Sequence, residues 1–128
     1  MAGTTKRVLD VGNCDFDHAA IRRLIEGQFD AQVIQEHSQS AALAALRREH
    51  FDLVLVNRKF DQDYSDGLDL IRAIKADPAL ADTPVMLITN YAEHQQTAVE
   101  AGAIPGFGKA ELSSPETIRR LAEVLMET

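Results

Sequence analysis

The sequence has a single cysteine, Cys14, so it cannot close an internal disulfide, and a disulfide-stapled extracellular scaffold is excluded. It has no apolar run approaching the roughly 20 residues needed to cross a bilayer. Its start, MAGTTKR, offers no apolar stretch for a signal peptide. It is short of basic residues: 13 Lys and Arg stand against 20 Asp and Glu, a formal net charge of -7. Such a chain has no general attraction to nucleic acid or to an anionic membrane. The expectation is a cytoplasmic protein whose partners are other proteins or small solutes. Internal repeats, low-complexity stretches and linkers are also missing. With 128 residues, 45% of them hydrophobic, the chain 1–128 is expected to form one domain around one core, with no room for a separate DNA-binding or catalytic domain.

Five short apolar runs alternate with segments of helical spacing. The runs are Arg7–Val11, Gln32–Ile34, Leu53–Val56, Val85–Ile88 and Ala103–Phe107. In Leu53-Val54-Leu55-Val56 and Val85-Met86-Leu87-Ile88 every successive position is apolar, as expected of strands covered on both faces in a parallel sheet. Between the runs, Ala20, Ile21, Leu24 and Ile25 make one helical stripe, and Ile118, Leu121, Ala122 and Leu125 make another. Ser114-Pro115-Glu116 supplies a cap, a first-turn proline and an early acid for the last helix. Ser38 or Ser40 opens the segment Ala41–Arg48. Gly67 precedes the face Leu68, Leu70, Ile71 and Ile74, and Gly102 ends the segment Glu93–Ala101. Strand and helix in strict alternation imply a three-layer α/β/α domain with a parallel sheet.

In open α/β sheets ligands bind beyond the carboxyl ends of the strands. That rule selects Gly12 and Asn13, Asn57, Thr89 and Asn90, and Lys109, which are expected to converge. The set holds a hydroxyl, three amides and an ammonium but neither carboxylate nor imidazole. Without a general base or a nucleophile it does not read as an enzyme's active site. Singly, each Asn also suits a turn.

The segments VLDVGNCDFDHAAIRRLIE, FDLVLVNRKF followed by DGLDLI, TPVMLITNYAE and AGAIPGFGKAEL, in this order and spacing, resemble a response regulator receiver domain over nearly the whole chain. The resemblance implies a flavodoxin-like five-stranded parallel sheet of order 2-1-3-4-5, with two helices on one face and three on the other. Receivers carry an acidic pair after the first strand, a phosphorylated aspartate after the third, Thr or Ser after the fourth and Lys after the fifth. Here the acidic pair falls on Gly12 and Asn13 and the phosphoacceptor on Asn57; only Thr89 and Lys109 match. The aromatic switch position falls on Gly106, and Ala110 replaces the proline after the lysine, so a trans bond is expected there, since a non-proline cis bond costs about 2.5–4 kcal/mol. Arg58–Asp66 is two residues longer than the family's spacing.

An uncharged amide is a poor nucleophile, and magnesium is usually anchored by one or two carboxylates. The expectation is therefore a pseudo-receiver, a degenerate member that signals by protein–protein contact without aspartyl phosphorylation, with weak or absent magnesium binding and no other cofactor or metal. Its expected partners are signalling proteins, among them a histidine kinase, an output domain or a second copy in a homodimer. Two alternatives stand beside it: a sensor for a small anion or metabolite held by Lys109, Thr89 and backbone amides near Gly12, and a receiver phosphorylated on a displaced acid such as Asp61 or Asp15. Asp61 and Asp63 read as solvated loop acids, and Asp15 and Asp17 as acids preceding the first helix, where they favour its dipole. For Lys109 the preferred reading is that it hydrogen-bonds Asn57 or nearby carbonyls and stabilises the fold. Asp10 interrupts a strand expected to be covered on both faces and needs a partner if buried. Phe107 should point into the core. His18, His37, His50 and His94 lack metal-ligand spacing and default to the surface. The pairs Arg22-Arg23, Arg47-Arg48 and Arg119-Arg120 read as solvated or salt-bridged. Tyr91 and the helix after it could serve a protein interface.

Overall fold

The computed structural model describes residues 5–126, leaving the first four residues of MAGTTKR and the last two of the chain outside the described residues. The elements alternate as β1 (Lys6–Val11), α1 (Asp15–Gln28), β2 (Ala31–Glu36), α2 (Gln39–Arg48), β3 (Leu53–Asn57), α3 (Gly67–Ala76), β4 (Val85–Ile88), α4 (Ala92–Glu100), β5 (Ile104–Phe107), a short 3-10 turn (Lys109–Glu111) and α5 (Pro115–Leu125). The five strands form one parallel sheet of order β2-β1-β3-β4-β5. The continuous apolar runs became the central strands because both of their faces are covered. Leu9, Val11, Val54, Val56 and Leu87 pack under α2, α3 and α4, while Val8, Leu53, Leu55, Met86, Ile88 and Phe107 pack under α1 and α5. Phe107 is core, as its alternation requires.

The edge strand β2 runs three residues beyond the apolar run Gln32–Ile34, taking in Ala31, Gln35 and Glu36. An edge strand is solvated on one side and needs no apolar residue there. The open edge of β2 is blunted by a side chain: Val33 N–H, on its outer side, donates to Glu26 Oε2 at 2.9 Å, which pulls the Glu26 carboxyl below its ordinary value. At the register shift between β4 and β5, Gly106 N–H donates to Gln95 Oε1 at 2.9 Å, and the Gly106 carbonyl accepts from Arg120 Nη1.

The caps follow the local chemistry. Ser38, rather than Ser40, caps α2 by accepting from Ala41 N at 3.1 Å. Asp66 caps α3, accepting from Leu68 N at 2.9 Å. Ser114 accepts from Glu116 N at 3.2 Å with Pro115 in the first turn, so Ser114→Ala is expected to lower stability by about 1 kcal/mol, read from thermal unfolding. The buried stripe of α5 is Thr117, Leu121 and Leu125, whereas Ile118 and Ala122 are half-buried. Sequence periodicity missed Thr117 because its hydroxyl looks polar. It is buried by donating to Glu111 O at 2.7 Å.

Candidate functional site

At the carboxyl end of β1 the chain turns at Gly12, whose φ of +84° lies in the left-handed region. Its missing side chain matters as much as its backbone: a Cβ there would overlap the Phe60 ring. Phe60 comes from the long segment between β3 and α3 and is fully buried. That segment folds back on itself through a Lys59–Asp66 bridge, a Phe60 N–H bond to Ser65 O at 2.9 Å and an Arg58–Asp66 ion pair at 3.2 Å. Asp61 N then donates to Gly12 O at 2.9 Å, locking the loop over the end of β1. At its tip Tyr64 takes a left-handed φ of 59°, and the Ser65 hydroxyl and amide hold the Asp63 carboxyl below the usual carboxylate range.

Asn57 ends β3 and turns its amide nitrogen inward to donate to Gly12 O at 3.1 Å and to Lys59 O at 2.7 Å. Gly12 and Asn57 do come together. The remaining expected members do not join them by hydrogen bonds among the described residues. Lys109 pairs instead with Asp17 of α1, at 2.8 Å, which corrects the expectation that it would reach Asn57 or nearby carbonyls. Asp15 and Asp17 lie within the first turn of α1 rather than before it, and Cys14 is the N-cap residue. Asp15 accepts from Gln35 Nε2 at 3.0 Å. Thr89 Oγ1 points toward α4, 3.3 Å from His94 Nδ1, and accepts from Tyr91 N at 3.3 Å. Asn90 Oδ1 accepts from Ala110 N at 3.1 Å, which shapes the turn after β5; no peptide bond is cis among the described residues.

Asp10 has its partners. It is 0% exposed on the α1 side of β1, where its Oδ1 accepts from Asn13 Nδ2 at 2.6 Å and its Oδ2 from His18 Nδ1 at 2.7 Å. The buried carboxylate thus draws in the side chain of Asn13, one of the two positions that the receiver resemblance gives to the acidic pair. Asn13 Oδ1 is buried with no partner among the described residues. Of the histidines expected at the surface by default, His50 is exposed, 3.0 Å from Asp52, whereas the half-buried His18 and His37 sit against Asp10 and, at 3.1 Å, both oxygens of Asp61. Asp61 is therefore a paired acid rather than a freely solvated one. Spacing along the chain cannot reveal these pairs, because each joins two different elements or loops or the ends of a loop. The arginine pairs are salt-bridged or solvated as expected: Arg119 and Arg120 bridge to Glu116, Arg22 to Glu26, Arg47 to Asp77 and Arg48 to Glu49, and Arg23 is exposed.

Gly106, which the receiver resemblance gives to the aromatic switch, is also set by close approach. A Cβ on Gly106 would overlap Leu87 O, and the backbone of Gly106 is held on one side by Gln95 of α4 and on the other by Arg120 of α5. Gln95 Nε2 also donates to Leu87 O at 2.9 Å, so α4, β4, β5 and α5 are joined through two side chains.

Among the described residues no group of three or more His, Cys, Asp and Glu is placed to hold a metal ion, and no helix is long and apolar enough to cross a membrane. The fold matches solved receiver structures along almost its entire length. A response regulator from Thermotoga maritima is 26% identical with a TM-score of 0.77, the match covering 97% of this chain and 100% of that one. The signal receiver domain of a DNA-binding response regulator from Colwellia psychrerythraea is 22% identical with a TM-score of 0.76 over 92% of this chain and 98% of that one. The Vibrio cholerae chemotaxis protein CheY4 is 19% identical with a TM-score of 0.76 over 95% of this chain and 100% of that one. The family model of the response regulator receiver domain matches residues 15–113. With the strand order, the Thr and Lys positions and that match together, the chain belongs to the response regulator receiver domain family of two-component signalling.

Proposed function

We propose that this domain is a pseudo-receiver: a regulatory module that neither accepts a phosphoryl group at position 57 nor depends on magnesium, and that presents a constitutive surface to signalling proteins. The observation that carries this reading is that the position of the phosphoryl site is filled from within. The Asn57 amide is bonded to Gly12 O and Lys59 O, and Phe60 occupies the space beside Gly12. Nothing nucleophilic remains at the end of β3.

The residues do not fit magnesium. This ion prefers octahedral oxygen ligands and usually one or two carboxylates. Gly12 has no side chain, Asn57 offers its nitrogen to two carbonyls, and Asn13 Oδ1 is a single neutral oxygen beside an Asp10 whose carboxylate already accepts from Asn13 and His18. The anion-sensor alternative loses its cation, since the Lys109 ammonium is neutralised by Asp17. The displaced acids are engaged as well, Asp61 by His37 and Asp15 by Gln35. The two hydrogen bonds that hold Gly106 to α4 and α5 support a face with one arrangement rather than two.

Backbone amide NMR tests the reading. Titration with magnesium, then beryllofluoride as an aspartyl-phosphate mimic, then phosphate alone is expected to leave the amides near Asn57, Thr89 and Lys109 unmoved. Shifts that require magnesium and beryllofluoride together would overturn the proposal in favour of a displaced acid. Shifts with phosphate alone would overturn it in favour of an anion sensor.

A further inference from the structure

The large exposed aromatic side chains are sorted to one end of the molecule. Phe16 is 82% exposed in the first turn of α1, Tyr64 is 72% exposed at the tip of the loop after β3, and Tyr91 is 61% exposed at the start of α4. These segments follow β1, β3 and β4, which are neighbours in the sheet, so all three rings lie over the carboxyl ends of adjacent strands. The other large exposed apolar residues, Val99 near the end of α4 and Met126 after α5, lie toward the opposite end, because each helix runs back along the sheet. Large exposed aromatics gathered at one end of a domain mark a candidate surface for protein contact. Tyr64 is held outward by a left-handed backbone that a bulky residue rarely adopts, and such strain collects at functional positions.

Charge selects the partner. Asp15, Asp63 and Glu93 stand exposed in the same three segments without a cationic partner among the described residues, against the exposed Lys59. Lys109 and Arg58 on this end are already paired, with Asp17 and Asp66. A second copy would bring like charges together, and an anionic membrane or nucleic acid would be repelled. Strand addition is disfavoured on β2, where Glu26 occupies an outward backbone N–H, and on β5, where Pro105 has no N–H to donate. What remains is side-chain docking, for which tyrosines combine apolar area with a hydrogen-bonding tip.

We infer that the face formed by Phe16, Tyr64 and Tyr91 docks a protein segment carrying apolar residues interspersed with Lys or Arg. The inference deepens the pseudo-receiver reading by naming the surface and the chemistry of its partner, and it rests on that reading for its role in signalling. Its test is independent of beryllofluoride, so the two can fail separately. The full chain is titrated, with amide NMR readout, with three synthetic peptides: one alternating Leu and Lys, one alternating Leu and Glu, and oligolysine. The Leu/Lys peptide alone is expected to shift amides in 12–17, 60–66 and 89–93, with affinity falling as salt rises. The triple variant Phe16→Gln, Tyr64→Asn, Tyr91→Ser is expected to bind about tenfold more weakly or worse. Asn tolerates the left-handed backbone and Ser suits the start of α4, so the variant should retain its fold, checked by its amide spectrum. Met126→Ala serves as the control at the far end and should bind as the parent does. Equal shifts with oligolysine or with the Leu/Glu peptide, shifts centred elsewhere, no binding, or undiminished binding by the triple variant would each overturn the inference.

Discussion

Replacing His18 by Ala is expected to destabilise the domain by about 1–3 kcal/mol, the cost of leaving a buried acceptor without one of its hydrogen-bond partners. Asp10 is fully buried within β1, flanked in the sheet by Gln35 of β2 and Leu55 of β3, so water cannot take over the bond that His18 Nδ1 makes at 2.7 Å. Asn13 would remain as a single neutral donor to Oδ1. In urea denaturation the midpoint should fall sharply with little change in slope. The exposed pair Arg22–Glu26 sets the comparison, since Arg22→Ala should cost no more than about 1 kcal/mol. The double variant Asp10→Val, His18→Leu removes both polar partners and should recover most of the loss, because replacing both partners of a buried hydrogen bond by apolar groups can be nearly neutral. If His18→Ala costs as little as Arg22→Ala, the buried Asp10 side chain does not depend on His18.

That network also marks the limit of what the sequence carries. The uninterrupted apolar runs in β3 and β4 announce a sheet covered on both sides, and the fold follows from them with the order of strand and helix. An aspartate within such a strand announces a buried carboxylate in need of a donor, and this much was legible at Asp10. The donor was not. His18 lies eight residues on, across a turn and into α1, and only the packing of that helix on the sheet brings its ring to the strand. Lys109 shows the same limit from the other side. It ends up where the strand-end rule places it, yet its ammonium reaches Asp17, 92 residues earlier in the chain, because α1 and the end of β5 share one face of the sheet. Phe60 left no signal of its role, since an aromatic in a polar loop reads as incidental until the loop is seen to fold over Gly12.

Gly12→Ala is the second variant with a large expected effect, a loss on the order of 3 kcal/mol. A left-handed backbone costs a non-glycine residue roughly 1–2 kcal/mol. Forcing an extra carbon into a packed site adds about 1–3 kcal/mol. Here both apply at once, since φ is +84° and the new Cβ would meet the Phe60 ring. A thermodynamic cycle with Phe60→Ala separates them. Phe60→Ala alone should cost about 3–5 kcal/mol for the lost buried ring. Gly12→Ala made in that background should then cost only the backbone share, so the pair is expected to be non-additive by about 1–3 kcal/mol. Additivity would mean that the ring can move aside and that the site is less tightly filled than it looks. The same overlap bears on acids introduced at the positions that the receiver resemblance assigns to them. Asn57→Asp would set a carboxylate against two carbonyl oxygens that now accept from the amide, at Gly12 and Lys59, and Gly12→Asp would have to displace Phe60. Introducing these acids one at a time is therefore expected to lower stability, and the obstacle is the loop of 58–66 rather than the identity of any single residue.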